Sequence, residues 1–78
     1  TERRAVIQRI RGFALRGLGR SKEAFESLLE SAKLKPFSAS DLKSRMIMQG
    51  YYPENVETSL EDARFINGLM ACAIDPQC

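Results

Sequence analysis

The side chains that most often carry catalysis are scarce in this sequence. Histidine is absent, which removes Ser-His and Cys-His nucleophile pairs together with the commonest zinc ligand. Two cysteines without histidine do not form a structural zinc site. The carboxylates between positions 54 and 62 have the spacing of the solvent face of a helix rather than that of a general acid–base pair. The sequence therefore predicts a protein that is not an enzyme and has no catalytic residue, cofactor or metal site.

The two cysteines lie together near the end of the chain, at Cys72 and Cys78. Cys72 belongs to the apolar run 69–74, where a thiol usually acts as a small buried hydrophobic group. Cys78 is predicted to be exposed. Two thiols this close in sequence cannot crosslink distant parts of a fold, and the sequence leaves open whether they form a disulfide with each other.

Charge is distributed unevenly along the chain. The net charge is only +2, but the first 20 residues contain six arginines against one acid, whereas residues 51–78 contain five acids against one arginine. A basic segment of this kind can bind an acidic protein, a nucleic acid or an anionic membrane. A nucleic-acid site usually adds aromatic side chains for stacking, and the spacing of Phe13 places it on the core face. A protein partner is therefore the favoured prediction, with nucleic acid as the alternative.

Two adjacent tyrosines form a second candidate contact. Tyr51 and Tyr52 point in different directions, so one of them is predicted to be accessible, and exposed tyrosines favour interfaces. The simpler interpretation is that one tyrosine packs and the other covers the edge of the core. The full set of predicted partner-binding residues is Arg3, Arg4, Arg9, Arg11, Arg16, Tyr51 and Tyr52.

Helices must position these residues, because apolar residues recur at intervals of three and four and alternating strand-type stretches are missing. A first amphipathic helix is predicted from about position 2 to 18 and is ended by Gly17 and Gly19. Its arginines project around the circumference that the apolar face leaves free.

Three further helices are predicted from their capping signals. Ser21 caps the second, and Pro36 ends it. A capping box beginning at Ser38 starts the third, which ends at Gly50. Pro53 lies in the first turn of the fourth, which either continues past position 68 or breaks there. The predicted fold is all-α, a compact bundle or orthogonal array of four to five short helices in one domain spanning residues 1–78. The predicted core consists of Val6, Ile10, Phe13, Phe25, Leu28, Leu42, Met46, Val56, Leu60, Ile66 and Leu69.

The segment 38–60 carries a pattern found in a known family. Its residues are Ser38, Asp41-Leu42, Arg45-Met46, Gly50-Tyr51, Glu54, Val56-Glu57 and Leu60. Without a gap, this pattern resembles the repeat of the RecX regulatory proteins. The later run Glu61-Asp62-Ala63-Arg64-Phe65 is similar to that family's Asp-Asp-x-Arg-Phe signature, although a linking helical stretch is missing. The resemblance implies a helical repeat that binds a recombinase filament.

A rival resemblance uses some of the same residues. They are Lys22-Glu23-Ala24-Phe25, Asp41-Leu42-Lys43, Met46, Gly50-Tyr51 and Pro53. These residues resemble the helices of calmodulin- and centrin-type EF-hands. The intervening segment 30–37 has no run of Asp or Asn ligands and no mid-loop glycine, so calcium binding there is not expected. A capped helix that ends in glycine before another helix is common to both resemblances.

No apolar run reaches the roughly 18 residues of a membrane span, and the first residues lack the apolar core of a secretory signal. The sequence therefore predicts an intracellular protein without integral membrane insertion. Together with the charge pattern, it predicts a non-enzymatic helical protein-binding module or a small subunit of a larger assembly. The alternative is a RecX-like regulator that associates with nucleic acid or with a recombinase filament.

Overall fold

The computed structural model describes residues 2–78, and the chain within that range forms four α-helices. They are α1 (Glu2–Gly17), α2 (Ser21–Leu34), α3 (Pro36–Met48) and α4 (Ala63–Cys72). The other described residues lie in turns and irregular segments, without a strand among them. The predicted all-α array of short helices is therefore confirmed.

Glycine ends two of these helices in the predicted places. Gly19 follows α1 with φ of 78°, and Gly50 follows α3 with φ of 77°. This left-handed conformation suits glycine, which has no Cβ to clash with the backbone. In each case the amide after the glycine donates to a carbonyl five residues earlier, at 2.9 and 2.7 Å respectively. These bonds satisfy carbonyls that the end of a helix would otherwise leave unpaired.

The predicted capping of α2 and α3 by serine is wrong at both helices. Ser21 is the first residue of α2, and Arg20 occupies the capping position without a side-chain hydrogen bond that caps the helix. Ser38 lies inside α3 and is fully buried, with its hydroxyl donating to the Ser31 hydroxyl at 3.1 Å. Helix α3 begins earlier, at Pro36, because proline needs no amide partner in a first turn and its φ is already helical. Lys35 alone separates α2 from α3.

The predicted fourth helix starting at Pro53 is also wrong, because residues 51–62 form turns and irregular structure. Helix α4 begins at Ala63, where the Asp62 carboxylate accepts a hydrogen bond from the Arg64 amide at 2.8 Å and caps the helix. It continues past Gly68. A Cβ at Gly68 would lie 2.7 Å from the carbonyl oxygen of Tyr51. Glycine at position 68 therefore allows the backbone of the segment between α3 and α4 to pack directly on α4.

The core is centred on α2, which packs against α1, α3 and α4. Four of the predicted core residues are fully buried; they are Leu28, Leu42, Met46 and Leu69. Six are only partly buried; they are Val6, Phe13, Phe25, Val56, Leu60 and Ile66. Ile10 is 61% exposed, so its assignment to the core is wrong. Phe65 and Tyr52, which the predicted core set does not include, are buried against each other with their ring centroids 5.9 Å apart in an edge-on arrangement. Burial of Tyr52 agrees with the simpler interpretation that one of the two tyrosines packs.

The end of the chain folds back onto α3. Cys72 and Cys78 form a disulfide with their Cα atoms 5.1 Å apart, which answers the question that the sequence left open. Cys78 is buried, so its predicted exposure is wrong. Arg45 donates to the Cys78 carbonyl at 3.3 Å, and Gln49 donates to the Gln77 carbonyl at 3.1 Å. These two side chains of the α3 region and the disulfide hold the tail in place.

None of the helices within residues 2–78 combines the length and the apolar character required to cross a membrane.

Candidate protein-binding surface

Helix α1 approaches α2 most closely where its residues are small. Its buried residues are Ala5, Gly12 and Leu15. A Cβ at Gly12 would lie 2.6 Å from two side-chain carbons of Leu28 and 3.2 Å from the Ala24 carbonyl oxygen, so the two helix backbones approach closely here. One turn away from Gly12, the Ser27 hydroxyl contacts the Gln8 carbonyl and the Gln8 side-chain oxygen at 2.9 and 2.7 Å. These contacts fix the rotation of α1 about its own axis.

This rotation leaves a row of aliphatic residues in solvent, which we call the aliphatic stripe: Ile7, Ile10, Ala14 and Leu18. All four are exposed, and the three large side chains are 52%, 61% and 72% accessible in chain order. At 3.6 residues per turn, Ala14 lies on the opposite side of the helix from the fully buried Ala5. The predicted amphipathic helix therefore has its large apolar residues on the solvent side as well as on the buried side.

Three of the predicted partner-binding arginines are exposed on the same helix as the aliphatic stripe. Arg3, Arg4 and Arg11 are all exposed on α1. Arg11 also lines a polar groove between α1 and α2, whose other charged residues are Glu23, Glu26 and Glu30. Arg11 therefore lies at the edge of an acidic region rather than on a continuous basic surface.

Arg9 is used inside the fold. Its guanidinium lies 3.4 Å from the Asp41 carboxylate and 5.8 Å from the centroid of the Phe37 ring, which joins α1 to α3. The Arg9 side chain is only 22% exposed. The expectation that all five arginines of helix one lie on its solvent face is therefore wrong for Arg9.

Arg16 is likewise a structural residue. It donates to the Cys72 carbonyl at 3.1 Å, and its guanidinium carbon lies 4.8 Å from the centroid of Phe13. Arg45 of α3 approaches the same ring at 4.6 Å. Partial burial, and secondarily the positive charge of Arg45, lower the pKa of Arg16 below its ordinary value. This cluster connects α1, α3 and the end of α4, and it removes Arg16 from the outer surface.

The two tyrosines have different environments. Tyr52 is buried, and its hydroxyl donates to the Glu57 carbonyl at 3.3 Å, so its side chain is not presented to a partner. Tyr51 is partly exposed and donates to the Asp75 carboxylate at 2.7 Å. This hydrogen bond is the main cause that raises the pKa of Tyr51, and it is also the main cause that lowers the pKa of Asp75.

Among residues 2–78, no group of three acidic, histidine or cysteine side chains converges in a way that could hold a metal ion. The chemistry that this surface offers is apolar contact together with positive charge. Arg, unlike Lys, can bind a carboxylate through two parallel hydrogen bonds, which suits it to interfaces.

No protein-family model matches the chain, and neither does a curated protein sequence or a solved structure.

Of the seven predicted partner-binding residues, Arg3, Arg4 and Arg11 are exposed on α1, and Arg11 borders the groove toward α2. The other four (Arg9, Arg16, Tyr51 and Tyr52) make contacts within the fold. The sequence pattern does not predict the aliphatic stripe as a surface feature, because the spacing of Ile10 places it in the core. The signal that could have identified it is the spacing of small residues at Ala5 and Gly12, seven positions apart, which marks the side of α1 that approaches another helix.

Proposed function

We propose that this protein is a non-enzymatic protein-binding module or a small subunit of a larger assembly, and that it binds its partner through the outer face of α1. The observation that carries this proposal is the exposure of Ile7, Ile10 and Leu18 beside exposed arginines. Apolar side chains grouped on one face and bordered by polar groups are typical of protein interfaces, and arginine is enriched there. Covering the exposed half to three-quarters of each large aliphatic side chain would contribute about 1–2 kcal/mol.

A nucleic-acid-associated function of RecX-like type is the second candidate, supported by the excess of arginine in the first 20 residues. The basic surface that could contact phosphates is smaller than the number of arginines implies. Arg9 and Arg16 are engaged within the fold, and Arg20 forms an ion pair with Glu23. Arg11 borders a groove that contains three glutamates. Phosphate binding gains from continuous positive charge, so we favour the protein partner.

Quantitative affinity purification tests the proposal. Immobilised wild-type protein would be compared with Ile10→Gln and with Met48→Gln, a matched change at a methionine of α3 that is 81% exposed. We expect one or more proteins to be lost from the Ile10→Gln sample and retained by the Met48→Gln sample. The purified candidate should then bind the wild type directly in calorimetry and bind Ile10→Gln about tenfold more weakly or worse, a change of about 1.4 kcal/mol.

Binding to random double-stranded DNA, measured by fluorescence anisotropy at physiological salt, tests the second candidate. The proposed protein-binding function predicts feeble binding that changes little when Arg3 and Arg11 are replaced by glutamine. Submicromolar binding that is lost in this variant, with a reduced salt dependence, would favour the nucleic-acid function and contradict our proposal.

A further inference from the structure

We propose that the disulfide between Cys72 and Cys78 is a redox-sensitive latch, whose reduction releases residues 75–78 from α3 while the helices stay folded. The reductant that opens it is a small thiol or dithiol. The aliphatic stripe of α1 takes no part in the latch, which therefore stands or falls independently of the proposed function.

The disulfide closes a short loop instead of joining two helices. Cys72 is the last residue of α4, and Cys78 follows it at a separation of six positions. Helix α2 packs directly against α1, α3 and α4. Because none of these helix contacts passes through the disulfide, the helical body can persist when the bond opens.

Few contacts other than the disulfide hold residues 75–78. Of these four residues only Cys78 is buried. Three side chains donate hydrogen bonds to this segment: Arg45 to the Cys78 carbonyl at 3.3 Å, Gln49 to the Gln77 carbonyl at 3.1 Å and Tyr51 to the Asp75 carboxylate at 2.7 Å. Each such bond adds little net stability, because its partners bond to water when they separate. Ordering the backbone and side chains of four residues costs more conformational entropy than three bonds of this kind return. The segment is therefore docked while the disulfide is intact and released once it is reduced.

Positive charge at both cysteines favours the reduced state. Arg16 donates to the Cys72 carbonyl at 3.1 Å, and Arg45 donates to the Cys78 carbonyl at 3.3 Å. Both guanidinium groups also lie beside the ring of Phe13, at 4.8 and 4.6 Å from its centroid, which keeps them close to the disulfide. A cation beside a cysteine stabilises its thiolate, and a disulfide whose thiolates are stabilised is more easily reduced.

Thiol–disulfide exchange opens the latch in two steps. Cys72 is fully buried and Cys78 is 4% exposed, so the attacking thiolate bonds to the sulfur of Cys78, and the sulfur of Cys72 leaves as a thiolate. A second thiolate then attacks the reductant's sulfur in this mixed disulfide, and the sulfur of Cys78 leaves. Two thiols of the reductant become one disulfide, and the protein gains two electrons and, on protonation, two protons.

Nuclear magnetic resonance of isotope-labelled protein tests the release. Amide spectra and heteronuclear NOEs would be recorded for the oxidised protein, for the protein reduced with a phosphine, and for the double variant Cys72→Ser with Cys78→Ser. In the reduced protein and in the variant, amides of residues 75–78 should move to random-coil shifts with heteronuclear NOEs near zero, whereas amides of α1, α2 and α3 should remain dispersed. Continued order of residues 75–78, or loss of dispersion throughout the helices, would overturn the latch.

Equilibration with glutathione tests whether a small thiol opens the latch. After acid quenching and alkylation, mass spectrometry should find at least about one tenth of the protein reduced in a glutathione mixture poised as in the cytosol. A smaller reduced fraction would make the disulfide a permanent crosslink and overturn the proposal.

A variant with weakened docking completes the test. Gln49→Ala combined with Tyr51→Phe removes two hydrogen bonds that exist only in the docked state, so it should shift the glutathione equilibrium toward the reduced form by about tenfold. Met48→Ala, a matched change at a side chain that is 81% exposed, should leave the equilibrium unchanged. Equal equilibria in the wild type and the double variant would mean that residues 75–78 stay docked after reduction, and the latch would be wrong.

Discussion

Gly12 of α1 lies so close to Leu28 of α2 that any larger residue at position 12 must displace a fully buried side chain. A Cβ there would lie 2.6 Å from Cγ and Cδ2 of Leu28. The contact explains why α1 turns its small residues inward and leaves its isoleucines in solvent.

We therefore expect Gly12→Ala to destabilise the protein although alanine is the better helix former. Alanine gains about 1 kcal/mol in helix propensity, but overpacking of a well-packed core costs about 1–3 kcal/mol, and the Ala24 carbonyl limits the room for relaxation. Urea unfolding followed by circular dichroism measures the difference. Gly17→Ala is the matched control, because its Cβ meets open space, and it should be neutral or stabilising by up to about 1 kcal/mol. Equal effects of the two substitutions would show that α1 and α2 are not in close contact at Gly12.

Arg16 should contribute to stability, whereas Arg11 should not. Arg16→Gln removes a hydrogen bond to the Cys72 carbonyl and one of the two guanidinium groups beside Phe13. We expect a loss of about 1–2 kcal/mol in the free energy of unfolding. Arg11→Gln, on the exposed face, should change it by less than about 0.5 kcal/mol. If the two variants unfold at the same urea concentration, the Arg16 contacts add nothing to stability.

Reduction of the disulfide between Cys72 and Cys78 should destabilise the protein. Closing a loop this short removes conformational entropy from the unfolded chain worth about 2 kcal/mol. Thermal unfolding with and without a phosphine reductant measures this effect, and the variant with both cysteines replaced by alanine should not respond to the reductant. An assay with a thiol reagent should detect no free thiol in the unreduced, unfolded protein. Stoichiometric free thiol there would contradict the disulfide.

Stability should decline in acid partly through Asp75. Its pKa is lowered in the folded protein, first by the hydrogen bond from Tyr51 and then by that from the Gln77 amide. A depressed carboxyl pKa gives stability that is present above the ordinary value of 3.8 and is lost as the pH falls through the lower folded value. Tyr51→Phe removes the main cause of the lowered Asp75 pKa. This variant should therefore lose less stability than the wild type does between about pH 5 and pH 2. Urea unfolding across this range measures the two slopes.

The same hydrogen bond between Tyr51 and Asp75 should also affect stability at alkaline pH. The pKa of Tyr51 is raised above 10.0, so its contribution is complete below that pH and is lost as the pH rises through the higher folded value. Asp75→Asn should bring the Tyr51 titration, followed by the NMR shift of its ring carbons, back toward lower pH. Identical titration curves in the wild type and Asp75→Asn would show that the Tyr51–Asp75 hydrogen bond is absent in solution.

The number and type of the helices could be predicted from the sequence because apolar spacing and glycine caps are local signals. The rotation of α1 about its own axis could not be predicted from the sequence. Its large apolar residues lie on two faces, and the choice between them depends on how closely Ala5 and Gly12 let another helix approach. Scales that reward large apolar residues give little weight to such small ones.

Residues 51–62 illustrate a different limit. Pro53 and the later Val56 and Leu60 fit a helical pattern, yet this segment is irregular. A tertiary contact overrides the local pattern, because Tyr52 is buried against Phe65 of α4. Within the segment, the Tyr52 hydroxyl donates a hydrogen bond to the Glu57 carbonyl. The positions of Arg9 and Arg16 could not be predicted for the same reason, because both side chains contact residues that are remote in sequence.

The arrangement of α2 between its three neighbours also has a kinetic consequence. Helices α1 and α2 are joined by only three residues, so their pairing closes a short loop at little entropic cost, whereas the tail reaches α3 across about 30 residues. We expect the α1–α2 hairpin to form early during folding and the tail around Cys78 to attach last. Pulsed hydrogen exchange during refolding should then protect amides of the hairpin before those of α4, and stopped-flow mixing should place tail attachment after the main folding phase.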